Sequence, residues 1–251
     1  ELSEVNVVSR KLGTMKLRNS VMNEDMISSA ELTRAACCNL GESFVTNPSV
    51  DVSYSDAATG AKQIKLLGLS GTYVQMMTEN IPNFRGAAAP YGLGYVPGPW
   101  MQSIQVSKGS SSVKNGYESI TGQINVEFKK PQLPEADWVS ANLFASSTNR
   151  YEANADATVK LSKRWSTSLL AHYENETKSH DSNDDGFVDI PRVEQYNFWN
   201  RWAYMGDHYV FQAGIKALHE TRNSGQTAHG QTPTHDLYEI GIQTNKSEAK
   251  R

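Results

Sequence analysis

The sequence predicts a two-part, β-rich chain: an α+β domain with short helices, followed by antiparallel β strands of the transmembrane-barrel type. Three observations carry that expectation. From Ile104 to Lys129 the chain reads as strand, glycine-punctuated loop, strand. Ile104 and Val106 alternate with polar residues, Lys108-Gly109 breaks the run, and after Gly122 the apolar Ile124, Val126 and Phe128 alternate with Gln123, Asn125, Glu127 and Lys129. Val21 to Phe44 carries apolar residues at helical spacing. Beyond Pro134 the chain turns to alternating segments of about ten residues, the length and period of strands that cross a bilayer at a tilt.

With 251 residues the chain suffices for one large or two ordinary domains. A net charge of −3 gives no electrostatic basis for binding nucleic acid. Its apolar runs are far shorter than the ~20 residues of a membrane helix. Mean hydropathy is −0.54, but barrel strands escape that measure because only alternate residues face lipid. Glu1-Leu2-Ser3-Glu4 has neither the basic start nor the apolar stretch of a secretory signal, and there is no initiator Met, so a mature or excised fragment is expected. Cys37 and Cys38 are expected as two buried thiols, since bridging neighbours strains the backbone.

Taken in order, Glu4 to Arg10 is a short extended segment, with Val5, Val7 and Val8 among polar neighbours. Within Val21 to Phe44, Ser28-x-x-Glu31 forms a capping box ahead of Leu32, Ala35 and Ala36, and Asn47-Pro48 ends a second apolar stripe through Leu40 and Phe44. Strands are expected at 50–53, 63–69 and 73–78, with a small-residue turn at 55–60. Pro82 to Pro99 is crowded with Gly, Pro and aromatics and has no period, the mark of a functional or mobile loop. A composition break from Lys129-Lys130-Pro131 to Pro134 sets the domain boundary. About six strands are expected after it, the clearest at 153–161, 169–173, 196–204, 211–218 and 238–243. The turns at Ser162-Lys163-Arg164 and Met205-Gly206-Asp207 are tight, whereas 180–191 and 224–233 are long, as periplasmic turns and outer loops alternate in barrels. Tyr196, Phe198, Trp202 and Tyr204 share one strand face, as in an aromatic girdle at a lipid interface, with Trp199 on the other. A soluble β-sandwich is the competing architecture.

The string Ile104, Val106, Lys108, Gly109, Tyr117, Ser119, Gly122, Ile124 and Val126 resembles the end of the plug domain of TonB-dependent outer-membrane receptors. Leu40, Glu42, Phe44, Pro48 and Val50 are similar to an earlier segment of the same domain, and the stretch from Tyr54 to Gly71 is most like receptors of Bacteroidetes-type bacteria. The resemblance implies a plug with a small mixed sheet and short helices over 1–131. Over 135–251 it implies the N-terminal part of a barrel of about 22 strands, about six of them present, hence truncated; the polar end at Asn245 to Arg251 fits that reading. It further implies the outer membrane of a Gram-negative bacterium, contact with outer-membrane lipid, and a partner in the TonB C-terminal domain with ExbB/ExbD. Glu4, Val5, Asn6, Val7 and Val8 resemble the TonB box, an energy-coupling strand able to add to a partner's sheet edge; the first strand of the plug is the other reading of these residues. By the same resemblance Tyr54 and Asp56 lie on one plug apex and Asn83, Arg85, Tyr91 and Tyr95 on another, as ligand contacts. Tyr91 and Tyr95 suit packing against the barrel wall equally well. Where relatives carry I-x-I-R-G, this chain has Leu66-Leu67-Gly68, so the arginine of the family's plug–barrel ion pairs is missing; Glu79 and Arg85 are the charged substitutes at hand.

Asp181, Asn183, Asp185, Phe187 (through its carbonyl) and Asp189, with Gly186, have the spacing of a Ca²⁺ loop, although Arg192 stands where an EF-hand has its bidentate Glu. A solvated acidic loop is the alternative. The six histidines are scattered, and the methionines Met22, Met26, Met76, Met77 and Met101 suit core packing as well as a soft metal. No nucleophile elbow, phosphate loop, HExxH or CxxC motif is present, so no enzyme and no required cofactor are expected. The expected function is uptake of a scarce nutrient, a ferric siderophore or other metal complex, driven through TonB; a non-transport surface binding or adhesion module is the alternative.

Overall fold

In a computed structural model of the chain, residues 14–16, 23–34, 38–45, 47–56, 58–86, 89–110, 115, 118–131, 138–227 and 238–250 are described. The coupling segment Glu4–Val8 lies outside them. The described residues form three sheets. The first domain contains β1 (Thr14–Lys16), β2 (Asn23–Ser28), α1 (Ser29–Arg34), β3 (Val50–Asp56), β4 (Ala61–Leu66), β5 (Leu69–Ser70), β6 (Val74–Thr78), β7 (Ile81–Pro82), the single turn α2 (Ala89–Gly92), β8 (Met101–Lys108) and β9 (Gly122–Phe128). Six of these strands make a mixed sheet in the order β1-β2-β8-β9-β6-β7, and β3-β4-β5 make a small antiparallel one.

The strand–loop–strand at the heart of the first domain is as expected. β8 and β9 pair antiparallel, and β9 continues the sheet parallel to β6. Ile104, Val106, Ile124 and Val126 are fully buried. The two glycines serve different needs: Gly109 ends β8 with φ +95°, a left-handed backbone that L residues avoid. At Gly122 a Cβ would run into the Ser107 carbonyl and the Leu66 side chain. The helical expectation over Val21 to Phe44 is corrected. Among the described residues of this stretch, helix covers Ser29–Arg34 with a 3₁₀ turn at Leu40–Phe44, while Asn23–Ser28 is a strand paired with β8. Ser28 does directly precede the helix. Its predecessor β2 is polar, with Ile27 alone deeply buried, so no apolar period marked it; pairing with β8 decided its form. The 82–99 loop likewise contains α2 and short 3₁₀ turns at Leu93–Tyr95 and from Gly98, with Leu93, Tyr95 and Val96 in the core.

The second domain is a six-stranded antiparallel meander in chain order: β10 (Trp138–Ala145), β11 (Arg150–Lys160), β12 (Trp165–Glu176), β13 (Arg192–Met205), β14 (Val210–Gly225) and β15 (Glu239–Lys250). Its two faces are inverted relative to a soluble sheet. One face is buried yet polar, with Glu152, Asn154, Asp156 and Thr158 on β11, Ser166, Ser168, His172, Glu174 and Glu176 on β12, and Gln195, Asn197 and Arg201 on β13. The other is exposed yet apolar, carrying Val139, Leu143, Val159, Leu169, Tyr196, Phe198, Trp202, Phe211 and Ile215. A half-buried sheet in water does the reverse; a membrane barrel has this pattern. The long connections (177–191, 226–238) lie at one end, together with the short 146–149, and two short ones (161–164, 206–209) at the other.

The polar face is buried because the first domain sits against it. Leu170, Trp199 and Leu218 join the first domain's core, with Phe128 and Trp199 edge-to-face at 4.9 Å. Around that seam the strands donate to first-domain carbonyls: Asn197 Nδ2 to Tyr95 O at 3.0 Å, Gln195 Nε2 to Gly94 O at 3.3 Å, and Arg201 Nη1 to Lys129 O at 2.8 Å.

Gly122→Ala is expected to destabilise the first domain by about 1–3 kcal/mol, the cost of overpacking a tight site. Gly109→Ala, where a Cβ meets nothing within 4 Å, costs only the backbone strain, about 1 kcal/mol. Urea denaturation of the two variants checks the ranking.

Candidate functional site

Two features join the domains: a set of ion pairs, part-buried to buried, and an open cleft. Toward the short-turn end, Glu79 closes the β6–β7 hairpin and its carboxylate meets Arg201 Nη2 of β13 at 2.7 Å. Glu79 and Asn80 both have positive φ, +51° and +63°, the signature of a tight primed hairpin turn. Asn80 is clamped to β9, its N–H donating to Asn125 Oδ1 at 2.9 Å. The turn therefore holds Glu79 aimed at the wall. Toward the long-loop end, Arg150 of β11 gathers three carboxylates: Glu42 of the first domain at 2.9 Å, Glu152 at 2.6 Å and Glu174 at 2.9 Å. These contacts supply the interdomain ion pairs that the sequence left open. Glu79 takes part; Arg85 pairs with Glu118 inside the first domain at 2.8 Å.

Above Arg150, a cleft of about 130 Å³ opens between the first domain and the wall. Tyr54, Lys62 and Tyr91 line it from the first domain, and Glu174, Glu176 and Arg222 are among its wall residues. Lys62 Nζ stands 5.4 Å from the Tyr54 ring centre, and the Arg222 guanidinium 5.4 Å from that of Tyr91, both within cation–π reach. Burial pushes the Tyr54 hydroxyl above its ordinary pKa, and the Glu42 carboxylate adds to this. Burial pulls the Lys62 ammonium down, with Glu42 acting against it.

Of the residues expected to touch ligand, the structure brings Tyr54 and Tyr91 together in this cleft and disperses the others. Tyr95 is buried, its hydroxyl 3.2 Å from Thr244 Oγ1, and it packs the first domain to the wall. Asp56 lies at the exposed end of β3, where bonding to the Thr59 hydroxyl holds its carboxyl below the usual range. Asn83 and Arg85 border a separate cavity of about 630 Å³ on another flank of the first domain. Lys62, Glu174, Glu176 and Arg222 were not anticipated. Their signal was present as charged residues at alternate positions in otherwise strand-like runs, legible only once the polar face is known to be the covered one.

The acidic loop is closed on itself. Asp181 accepts from the Gly186 N–H at 3.0 Å and the Thr227 hydroxyl at 2.9 Å, Asp185 from the Phe187 N–H at 2.8 Å, and Asp189 from the Ser182 N–H at 2.7 Å, while Asn183 donates to Asp185. Among the described residues no three His, Cys, Asp or Glu side chains converge on a point that could hold a metal ion. Cys38 is a buried thiol, which burial and then the Glu152 carboxylate push above its ordinary pKa.

Comparison with known proteins bears on both domains. The family model described as the TonB-dependent receptor plug domain matches residues 16–123. No curated protein matches the sequence. Among solved structures, the pyoverdine outer membrane receptor FpvA from Pseudomonas aeruginosa is similar at 16% identity and a TM-score of 0.67, over 84% of this chain and 29% of that one. The alcaligin outer membrane receptor FauA from Bordetella pertussis is similar at 14% identity and a TM-score of 0.65, over 83% and 35%. The copper transporter OprC is similar at 14% identity and a TM-score of 0.64, over 87% and 36%. The chain thus spans about a third of the length of these structures, and the similarity runs through both plug and barrel strands.

Glu79→Gln and Arg201→Met are each expected to loosen the plug from the wall by about 3–5 kcal/mol, since each strands a buried charge. The double variant is expected to cost less than the sum. A double-mutant cycle on guanidinium unfolding reads the coupling.

Proposed function

We propose that this chain, a TonB-dependent receptor plug domain with its adjoining barrel strands, serves an outer-membrane receptor of a Gram-negative bacterium. That receptor binds a scarce nutrient, a ferric siderophore or other metal complex, on the long-loop side and imports it with energy transmitted by TonB. The observation that carries this reading is the inverted sheet: an apolar face turned outward and a polar face turned onto a plug. The apolar face suits lipid, and the long loops suit the outer surface. A plug that fills the polar interior and is pinned by buried ion pairs blocks passage until it rearranges. Rearrangement against such contacts requires work, which an external motor supplies through a coupling strand; Glu4 to Val8 has the composition for that strand. Ligand binding in a cleft made jointly by plug and wall biases the plug's conformation, which is the linkage a coupled receptor needs. The metal complex as cargo is supported by the solved structures named for siderophores and copper.

The test is uptake by cells producing the full-length receptor, with ⁵⁵Fe-pyoverdine, ⁵⁵Fe-alcaligin and ⁶⁴Cu²⁺ as probes, in hosts with and without TonB. Uptake of at least one probe is expected, abolished without TonB and in the Val5→Pro, Val7→Pro variant, because proline removes the donors for strand addition. Surface binding with no TonB-dependent uptake of any probe would instead favour the adhesion module.

A further inference from the structure

The charges lining the plug–wall cleft are not all used by the protein. Arg150 is ion-paired with Glu42, Glu152 and Glu174, and Arg222 is held by Glu220 at 2.5 Å. Two charges remain. Lys62, on β4 of the plug, lies over the Tyr54 ring and makes no hydrogen bond or ion pair with a described residue. Glu176, at the end of β12, is 8% exposed and likewise makes no hydrogen bond or ion pair with a described residue. Its cross-strand neighbour Arg150 is directed at the other three carboxylates. Glu176 is buried and Lys62 half-buried; desolvated charge is costly unless paired, so a cation and an anion left over in one cleft are complementary to a ligand that carries both signs.

We propose that the cleft recognises a zwitterionic, amino-acid-like group of the nutrient, its ammonium on Glu176 and its carboxylate or equivalent anion on Lys62. Tyr54 and Tyr91 supply flat, amphipathic walls suited to an aromatic or planar side chain beside those charges. The volume of about 130 Å³ suits a group of amino-acid size rather than a whole metal complex, so the remainder of the nutrient stays above the cleft, toward the long loops. A net-anionic or net-cationic ligand gains only one of the two contacts and leaves the other charge desolvated. The cleft therefore selects by the pairing of charges. The inference rests on the reading of this cleft as the nutrient's docking point.

The experiment is calorimetric titration of the purified full-length receptor with the dipeptide Gly-Tyr, its N-acetyl form, which lacks the cation, and its C-terminal amide, which lacks the anion. Gly-Tyr is expected to bind about tenfold or more tighter than either blocked form, the scale of one hydrogen bond to a charged group. Glu176→Gln is expected to remove the preference over the acetylated form, and Lys62→Met the preference over the amide. Lys62→Arg retains the preference, and heat-modifiable gel migration verifies folding of each variant. Equal binding of the three probes, no binding of Gly-Tyr, or discrimination that persists in folded Glu176→Gln and Lys62→Met would overturn the proposal. The titration needs no TonB, so failed import with intact discrimination overturns the transport reading alone.

Discussion

From β11 to β14 one constraint holds: successive side chains point to opposite faces, and here the polar set points to the covered face. A sheet cannot bury glutamates, asparagines and arginines against an ordinary apolar core without leaving them unpaired. The plug resolves this by presenting carbonyl groups and carboxylates where the wall presents donors. Tyr95 O, Gly94 O and Lys129 O each receive a wall side chain. An apolar contact of Leu170, Trp199 and Leu218 with Phe128 and Trp100 lies between them. Plug and wall therefore specify one another, and neither polar surface is complete alone.

The ion pairs add direction to that fit. At both ends of the seam the guanidinium comes from the wall and a carboxylate from the plug: Arg201 with Glu79, Arg150 with Glu42. In these two pairs the polarity is the reverse of what an arginine on the plug would give, whereas Lys129 of the plug meets Asp156 of the wall at 3.0 Å with the opposite polarity. The two arginine pairs explain how a chain with Leu66-Leu67-Gly68 in place of I-x-I-R-G still fastens its plug. Buried pairs of this kind contribute little net stability but make separation costly, because breaking one strands a charge.

Much of this was legible in the sequence, and the failures have physical causes. The β8–β9 unit was readable because its apolar period and glycines agree with its tertiary environment. The barrel strands were readable from alternation, and their aromatic face from Tyr196, Phe198 and Trp202. β2 was not, since a polar strand with one deeply buried residue carries no period, and its hydrogen bonds to β8 are a long-range fact. Tyr54 and Tyr91 were nameable through the family resemblance, and Lys62 sits opposite Tyr54 on the neighbouring strand, but Glu176 and Arg222 come from β12 and β14 of the other domain. Glu79 was nameable as a charge near a turn; that it meets Arg201, more than a hundred residues on, depends on how the plug is seated. Cross-domain pairing is written in no local window.

The claim on which the rest depends is that the apolar face meets lipid and the polar face meets the plug. Trp202 and Trp199 lie on opposite faces of the same strand, 40% and 1% exposed. The direct measurement is fluorescence quenching by brominated lipid in two single-tryptophan variants of the full-length receptor in bilayers, one retaining Trp202 and the other Trp199. Strong quenching of Trp202 with Trp199 spared is the result expected here. Quenching of Trp199, or no quenching of Trp202, would contradict the account.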